Sequence, residues 1–163
     1  MPTPHRSPTA LPRDIEFRFP RDARSVGRAR LLLREQARSW KLPDEVTETA
    51  VLLLSELMTN AYRHAKAPGR EIRARCVLSD GGRLRVSVAD AEDTLPTVRE
   101  ASPEEESGRG LALVEALADD WGAEPRPGGI GKTVWFELHS EAKEKLCQGP
   151  VALTAWSEFP MSR

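Results

Sequence analysis

Glu56, Asn60 and His64 are spaced four residues apart in the stretch Ser55-Glu56-Leu57-Met58-Thr59-Asn60-Ala61-Tyr62-Arg63-His64-Ala65. Residues three and four apart on a helix share a face, so these three form one polar file. An apolar stripe of Val46, Ala50, Leu53, Leu54, Leu57, Met58, Ala61 and Ala65 runs beside it. At about 100° per residue, the file lies at the edge of that stripe and not opposite it. A carboxylate and an amide on the lip of a core are costly to desolvate without partners. A divalent cation with phosphate oxygens would supply such partners. A polar helix edge that simply meets water is the plain alternative.

Other residues suggest anion or amine chemistry. Gly108-Arg109-Gly110 precedes Leu111, Leu113, Val114, Leu117 and Ala118, the expected buried side of a helix. Glycines at a helix N-terminus expose backbone N–H groups toward an anion, and Arg109 adds a charge suited to phosphate. The competing reading is a plain glycine-rich helix start, because the third glycine and preceding strand of a dinucleotide fingerprint are missing. Asp90 ends an apolar run, where an aspartate either caps a turn or accepts from an exocyclic amine such as that of adenine. Gly131-Lys132-Thr133 suggests a P-loop, but Arg126 stands where that motif needs a glycine, and Val134-Trp135-Phe136 continues as a strand. A P-loop is therefore rejected. His5, His64 and His139 are dispersed, and no Ser/His/Asp or Cys/His set supports a hydrolase.

The elements that must position these residues follow from periodicity. Residues 1–13 are rich in proline and aperiodic, and read as a disordered lead. Ile15-Glu16-Phe17-Arg18-Phe19 alternates as a half-buried strand does. Asp22 is placed to cap a helix carrying Val26, Ala29, Arg30, Leu33 and Ala37, and Asp44 to cap the long helix that ends near Ala65 before Pro68-Gly69. Residues 72–78 and 84–90 alternate around Asp80-Gly81-Gly82, a strong hairpin signal. Residues 92–107, with Pro96, Pro103 and Glu104-Glu105-Glu106, form a loop too polar and too broken for a core. A loop of that length is usually functional or disordered. After the third helix come two last strands, residues 121–124 and 132–138, joined through Pro127-Gly128-Gly129. The order β-α-α-β-β-α-β-β predicts an α+β two-layer sandwich, with helices on one face of a mostly antiparallel mixed sheet. Residues 139–163 lie beyond it and read as a flexible tail.

Composition narrows the function classes. The chain has 163 residues, with 24 Lys+Arg against 25 Asp+Glu. That length suits one domain with short extensions. The balance gives no field-driven affinity for nucleic acid or an anionic membrane, and no basic recognition helix points to DNA binding. No apolar run is long enough to span a bilayer, and the first residues lack the apolar centre of a signal peptide. Cys76 and Cys147 are too far apart in sequence to suggest a metal site or a disulfide framework. A cytoplasmic protein is expected.

Taken in order, four motifs resemble the histidine-kinase-like ATPase (Bergerat) fold. They are the Glu56-to-Ala65 helix, Val88-Ala89-Asp90 with Leu95-Pro96, Gly108-Arg109-Gly110-Leu111-Ala112-Leu113-Val114, and Gly131-Lys132-Thr133-Val134. More narrowly the chain is similar to the stand-alone anti-sigma-factor serine/threonine kinases of actinobacteria, over about residues 14–138. No phosphoacceptor-histidine helix pair precedes the domain, which argues against a sensor histidine kinase.

The resemblance implies ATP and Mg²⁺ as cofactors and a role for each matching residue. Asn60 would hold Mg²⁺ between the phosphates, and Glu56 would be the base taking the proton from a partner's serine. His64 would lie near the phosphates. Asp90 would accept from the adenine amine, supported by Thr133. Gly108, Arg109 and Gly110, with Leu111 counted in the same nucleotide-binding set, would face the phosphates under a lid of about residues 93–107. Arg30 matches an arginine used at the family's protein interface. The implied partners are a sigma factor and an anti-sigma-factor antagonist that supplies the serine, and the family pattern admits a homodimer. Where the family usually carries glycines after the adenine-reading aspartate, this chain has Glu92 and Thr94. Backbone approaches a ligand less closely there. The alternative is thus a nucleotide-binding or degenerate regulatory module without kinase turnover.

Overall fold

The computed structural model describes residues 13–64, 71–91, 109–128 and 130–140, apart from the side chains of His64 and Arg109. The expected lead up to residue 12, the helix end at Ala65 with Pro68-Gly69, the segment 92–107 with Glu92 and Thr94, Gly108, and the tail from residue 141 lie outside the described residues.

The elements run β1 (Asp14–Phe19), α1 (Arg24–Ser39), α2 (Asp44–His64), β2 (Ile72–Leu78), β3 (Arg83–Asp90), α3 (Arg109–Leu117), β4 (Asp120–Pro125) and β5 (Lys132–His139). This is the predicted order. The helix starts differ slightly from expectation. At α1 the backbone cap is Ala23, while Asp22 Oδ1 accepts the Ser25 N–H at 3.0 Å from one residue further out. Asp44 already belongs to α2, and the Pro43 carbonyl accepts from the Thr47 N–H at 3.0 Å. With Glu45, Asp44 still places negative charge at the positive end of the helix dipole.

The sheet order is β1-β2-β3-β5-β4, and every pairing among the described strands is antiparallel. Among the described residues no parallel pair makes it mixed. Gly82, at φ 72°, turns the β2–β3 hairpin as its sequence requires. At the centre β3 and β5 run side by side from Arg83↔His139 to Asp90↔Lys132.

Strand alternation splits the sheet into two unlike faces. Ile72, Ala74, Cys76, Leu84, Val86, Val88, Val134 and Phe136 are buried toward the helices. They meet Ala50, Leu53, Leu54, Leu57, Met58 and Ala61, the predicted apolar stripe of α2, while Val46 is half-buried. Leu53, Leu54 and Met58 are at most 1% exposed. Burying each contributes about 1.5–3 kcal/mol, enough to fix the rotation of α2 about its axis. On the other face Arg83 and Arg85 pair with Glu137, Arg75 pairs with Asp14, and the Arg85 guanidinium lies 3.8 Å over the Trp135 ring. Helix α3 buries less than its sequence suggests. Leu111 and Val114 enter the core, whereas Leu113 and Leu117 are 36% and 45% exposed. In nine residues only one narrow stripe can face α2 and the sheet.

Candidate functional site

The rotation of α2 that buries its stripe leaves Glu56 and Asn60 half-buried at the lip of the core. The first turn of α3 abuts them. A Cβ built on Gly110 would lie 2.7 Å from Glu56 Oε2 and 3.5 Å from Asn60 Nδ2. The glycine therefore lets the α3 backbone sit directly against the polar file. Unsatisfied N–H groups and the positive end of the helix dipole gather at such a terminus. Carboxylate, amide and helix start thus converge in one place. His64 is the last residue of α2, Arg109 opens α3, and Leu111 packs into the core behind Gly110.

A second polar feature closes the end of the sheet. Asp90 and Lys132 stand opposite one another on β3 and β5, and Lys132 Nζ donates to Asp90 Oδ1 at 3.3 Å. The residues are 3% and 6% exposed, so this is a buried ion pair on the helix side of the sheet. Gly131 fixes the junction. Its φ is +90°, and a Cβ there would fall 2.0 Å from the Asp90 carbonyl oxygen. Only glycine permits that approach. Thr133 is not brought to Asp90. It stands opposite Ala89, and alternation turns it to the other face. Lys132, a residue missed from the sequence, stands beside Asp90, where the resemblance had named Thr133 as the residue supporting it. The period-two pattern of β5 carried the signal, because Lys132, Val134 and Phe136 share one face.

Beyond Ala91 a cleft of ≈ 340 Å³ opens between the start of β2 and the β4–β5 turn, lined among others by Arg73, Arg126, Gly128 and Ile130. Arg30 is exposed on α1, which packs on α2.

Among the described residues no cluster of three or more His, Cys, Asp or Glu could hold a metal ion. The donor set fits a different arrangement. Asn60 offers an amide oxygen and Glu56 a carboxylate, and Gly110 lets the α3 backbone close against both. A small hard cation takes one or two such oxygens and completes its shell with phosphate and water. Magnesium held largely by a nucleotide suits these residues.

Comparison with known proteins adds to this geometry. Residues 19–138 match the family described as histidine kinase-like ATPase domain. The uncharacterized protein SCO4941 of Streptomyces coelicolor is 35% identical over 75 residues, which cover 45% of this chain and 70% of that protein. Among solved structures, the RsbU and RsbW domains of Rv1364c from Mycobacterium tuberculosis align with a TM-score of 0.60 at 21% identity. That alignment covers 76% of this chain and 31% of the other, so this chain spans under a third of it. The SiaB–SiaC complex from Pseudomonas aeruginosa gives a TM-score of 0.61 at 10% identity, over 77% of this chain and 90% of the other. At these identities the structural likeness is one of fold. Among the described residues no helix is long and apolar enough to cross a membrane.

Proposed function

The chain belongs to the histidine kinase-like ATPase family, and from that membership we propose that it is an ATP-dependent protein serine/threonine kinase of the anti-sigma type. The observation that carries this reading is the convergence of Glu56 and Asn60 with the α3 backbone at Gly110. Phosphoryl transfer asks a protein mainly for positioning and charge neutralisation. Here Glu56 accepts the proton of a partner's serine as its oxygen bonds to the γ-phosphorus and the bond from that phosphorus to the β,γ-bridging oxygen breaks, releasing ADP, a task for a carboxylate at hydrogen-bond reach. Asn60 and the phosphates would hold Mg²⁺, which when bound neutralises phosphate charge. Asp90 lies at the base end, and Gly108, Arg109 and Gly110 belong to the phosphate end, with His64 near it. The exposed Arg30 serves as a contact for both antagonist and sigma factor, which makes the two compete. The SiaB–SiaC structure, a complex of two proteins, supports a protein partner for this fold.

A second reading, a degenerate regulatory module without kinase turnover, is favoured by one observation. The Asp90 carboxylate already engages Lys132. Incubation with Mg-ATP and serine-bearing antagonist proteins separates the two. The kinase reading expects phosphoserine with the wild type, and none with Glu56→Gln, which still binds nucleotide. Equal phosphorylation by Glu56→Gln removes Glu56 from the base role, and absence of any phosphoserine with a tightly bound antagonist favours the module.

A further inference from the structure

On the strands, arginines have carboxylates beside them. Arg18 pairs with Glu16, Arg75 with Asp14, and Arg83 and Arg85 with Glu137. Arg73 is different. It is half-buried, and its side chain pairs with no group among the described residues. Register sets it opposite Ala89, on the face of the sheet turned away from the helices. Arg126, just past β4, is likewise half-buried and its side chain likewise unpaired among the described residues. Its backbone is fixed, because the Arg126 N–H donates to the Gly131 carbonyl at 2.9 Å.

Both arginines line the cleft of ≈ 340 Å³ beyond Ala91. Ala91 and Gly128 in the same lining are too short to fill it. The lining carboxylate, Glu71, has a side chain 56% exposed and lies 4.0 Å from Arg18, outside the cleft. Drawing a guanidinium out of water without an acceptor is unfavourable. Two such groups at one cleft call for a ligand that supplies both charge and acceptors. Each guanidinium is a planar fork of N–H donors that matches phosphate oxygens. A single carboxylate would leave one fork unsatisfied, whereas a phosphate dianion brings two charges and at least three acceptor oxygens.

We infer that the cleft between Arg73 and Arg126 is a binding site for a phosphate dianion, free or as a monoester. None of its lining residues belongs to the joint of α2 and α3, and it does not depend on the kinase reading.

The test titrates the isotope-labelled full chain with inorganic phosphate and follows backbone amide signals by NMR, at about pH 7.5, where the dianion predominates. The signals of Ala91, Gly128 and Ile130 should shift and saturate. Arg73→Gln and Arg126→Gln should each weaken binding by about tenfold or more, the loss expected of a charge-assisted hydrogen bond. Arg75→Gln, on the same strand but engaged with Asp14, should bind as wild type does. O-phosphoserine distinguishes the sources: tighter binding than inorganic phosphate assigns the cleft to an ester, weaker binding to the free ion. Signals of Leu111 and Val114 in the same spectra report any phosphate at the α2–α3 joint. A folded wild type in which only those signals move overturns the assignment. So do equal shifts with acetate, or binding retained in both arginine variants.

Discussion

Where α2 meets α3, Glu56 and Asn60 stand half-buried beside a glycine, at a joint between two helices. Where β3 meets β5, Asp90 and Lys132 are sealed from solvent and held by strand register. A half-exposed carboxylate keeps part of its hydration and can be altered with little cost to folding. A sealed ion pair cannot lose one member without leaving an uncompensated charge in the core. The helix joint can therefore be tuned for chemistry, whereas the strand joint ties the fold together.

The largest expected effect tests that difference directly. Lys132→Ala should cost about 3–5 kcal/mol of stability by breaking the buried ion pair with Asp90. Glu56→Gln should stay within about 0.5 kcal/mol of wild type. Urea unfolding of both variants measures the gap, and equal losses would erase the distinction between the joints.

A smaller effect separates the two glycines. Gly131→Ala drives a methyl group into the Asp90 backbone at a positive φ, and should cost about 1–3 kcal/mol. Gly110→Ala meets Glu56 Oε2, the mobile end of a side chain, at 2.7 Å. It should fold nearly as well as wild type but displace the carboxylate, so phosphoryl transfer falls while the thermal midpoint holds. A collapse of stability in Gly110→Ala would place the rigid joint at the helices instead.

An effect confined to alkaline pH reports how dry the sheet interior is. Burial pushes the Cys76 thiol from its ordinary 9.0 up to about 12. The unfolded chain releases this proton at a lower pH than the folded one. The folded state then binds more protons, and stability present below pH 9.0 is lost as pH rises toward about 12. The slope from this one group is at most about 1.4 kcal/mol per pH unit. Other groups titrate in the same range, so the readout is the difference in urea midpoint between wild type and Cys76→Ala across that window. An unchanged difference would mean that the thiol reaches water.

What the sequence disclosed divides along the same line. Glu56 and Asn60 were legible because a helix writes its faces locally, three and four residues apart. The apolar stripe of α2 and the alternation of β2, β3 and β5 were legible for the same reason. Leu113 and Leu117 were not, because how much of a short helix is covered depends on its neighbours, and α3 has too few to enclose both. The Asp90–Lys132 pair spans 42 residues of sequence. Its register is a tertiary fact, and a shift of one residue exchanges the faces of a strand. Thr133 was named as the support of Asp90, and Lys132 missed, for want of that register.

The central claim is that the joint of α2 and α3 holds the phosphates of Mg-ATP. Calorimetry of Mg-ATP on wild type and Asn60→Ala, with thermal midpoints recorded on both, tests it most directly. Wild type should bind with a heat that depends on magnesium, and Asn60→Ala should melt with wild type yet lose that dependence, because a hard cation has lost an oxygen ligand. A folded wild type that gives no heat with Mg-ATP at high concentration, or an Asn60→Ala variant that binds it equally well, would contradict the account.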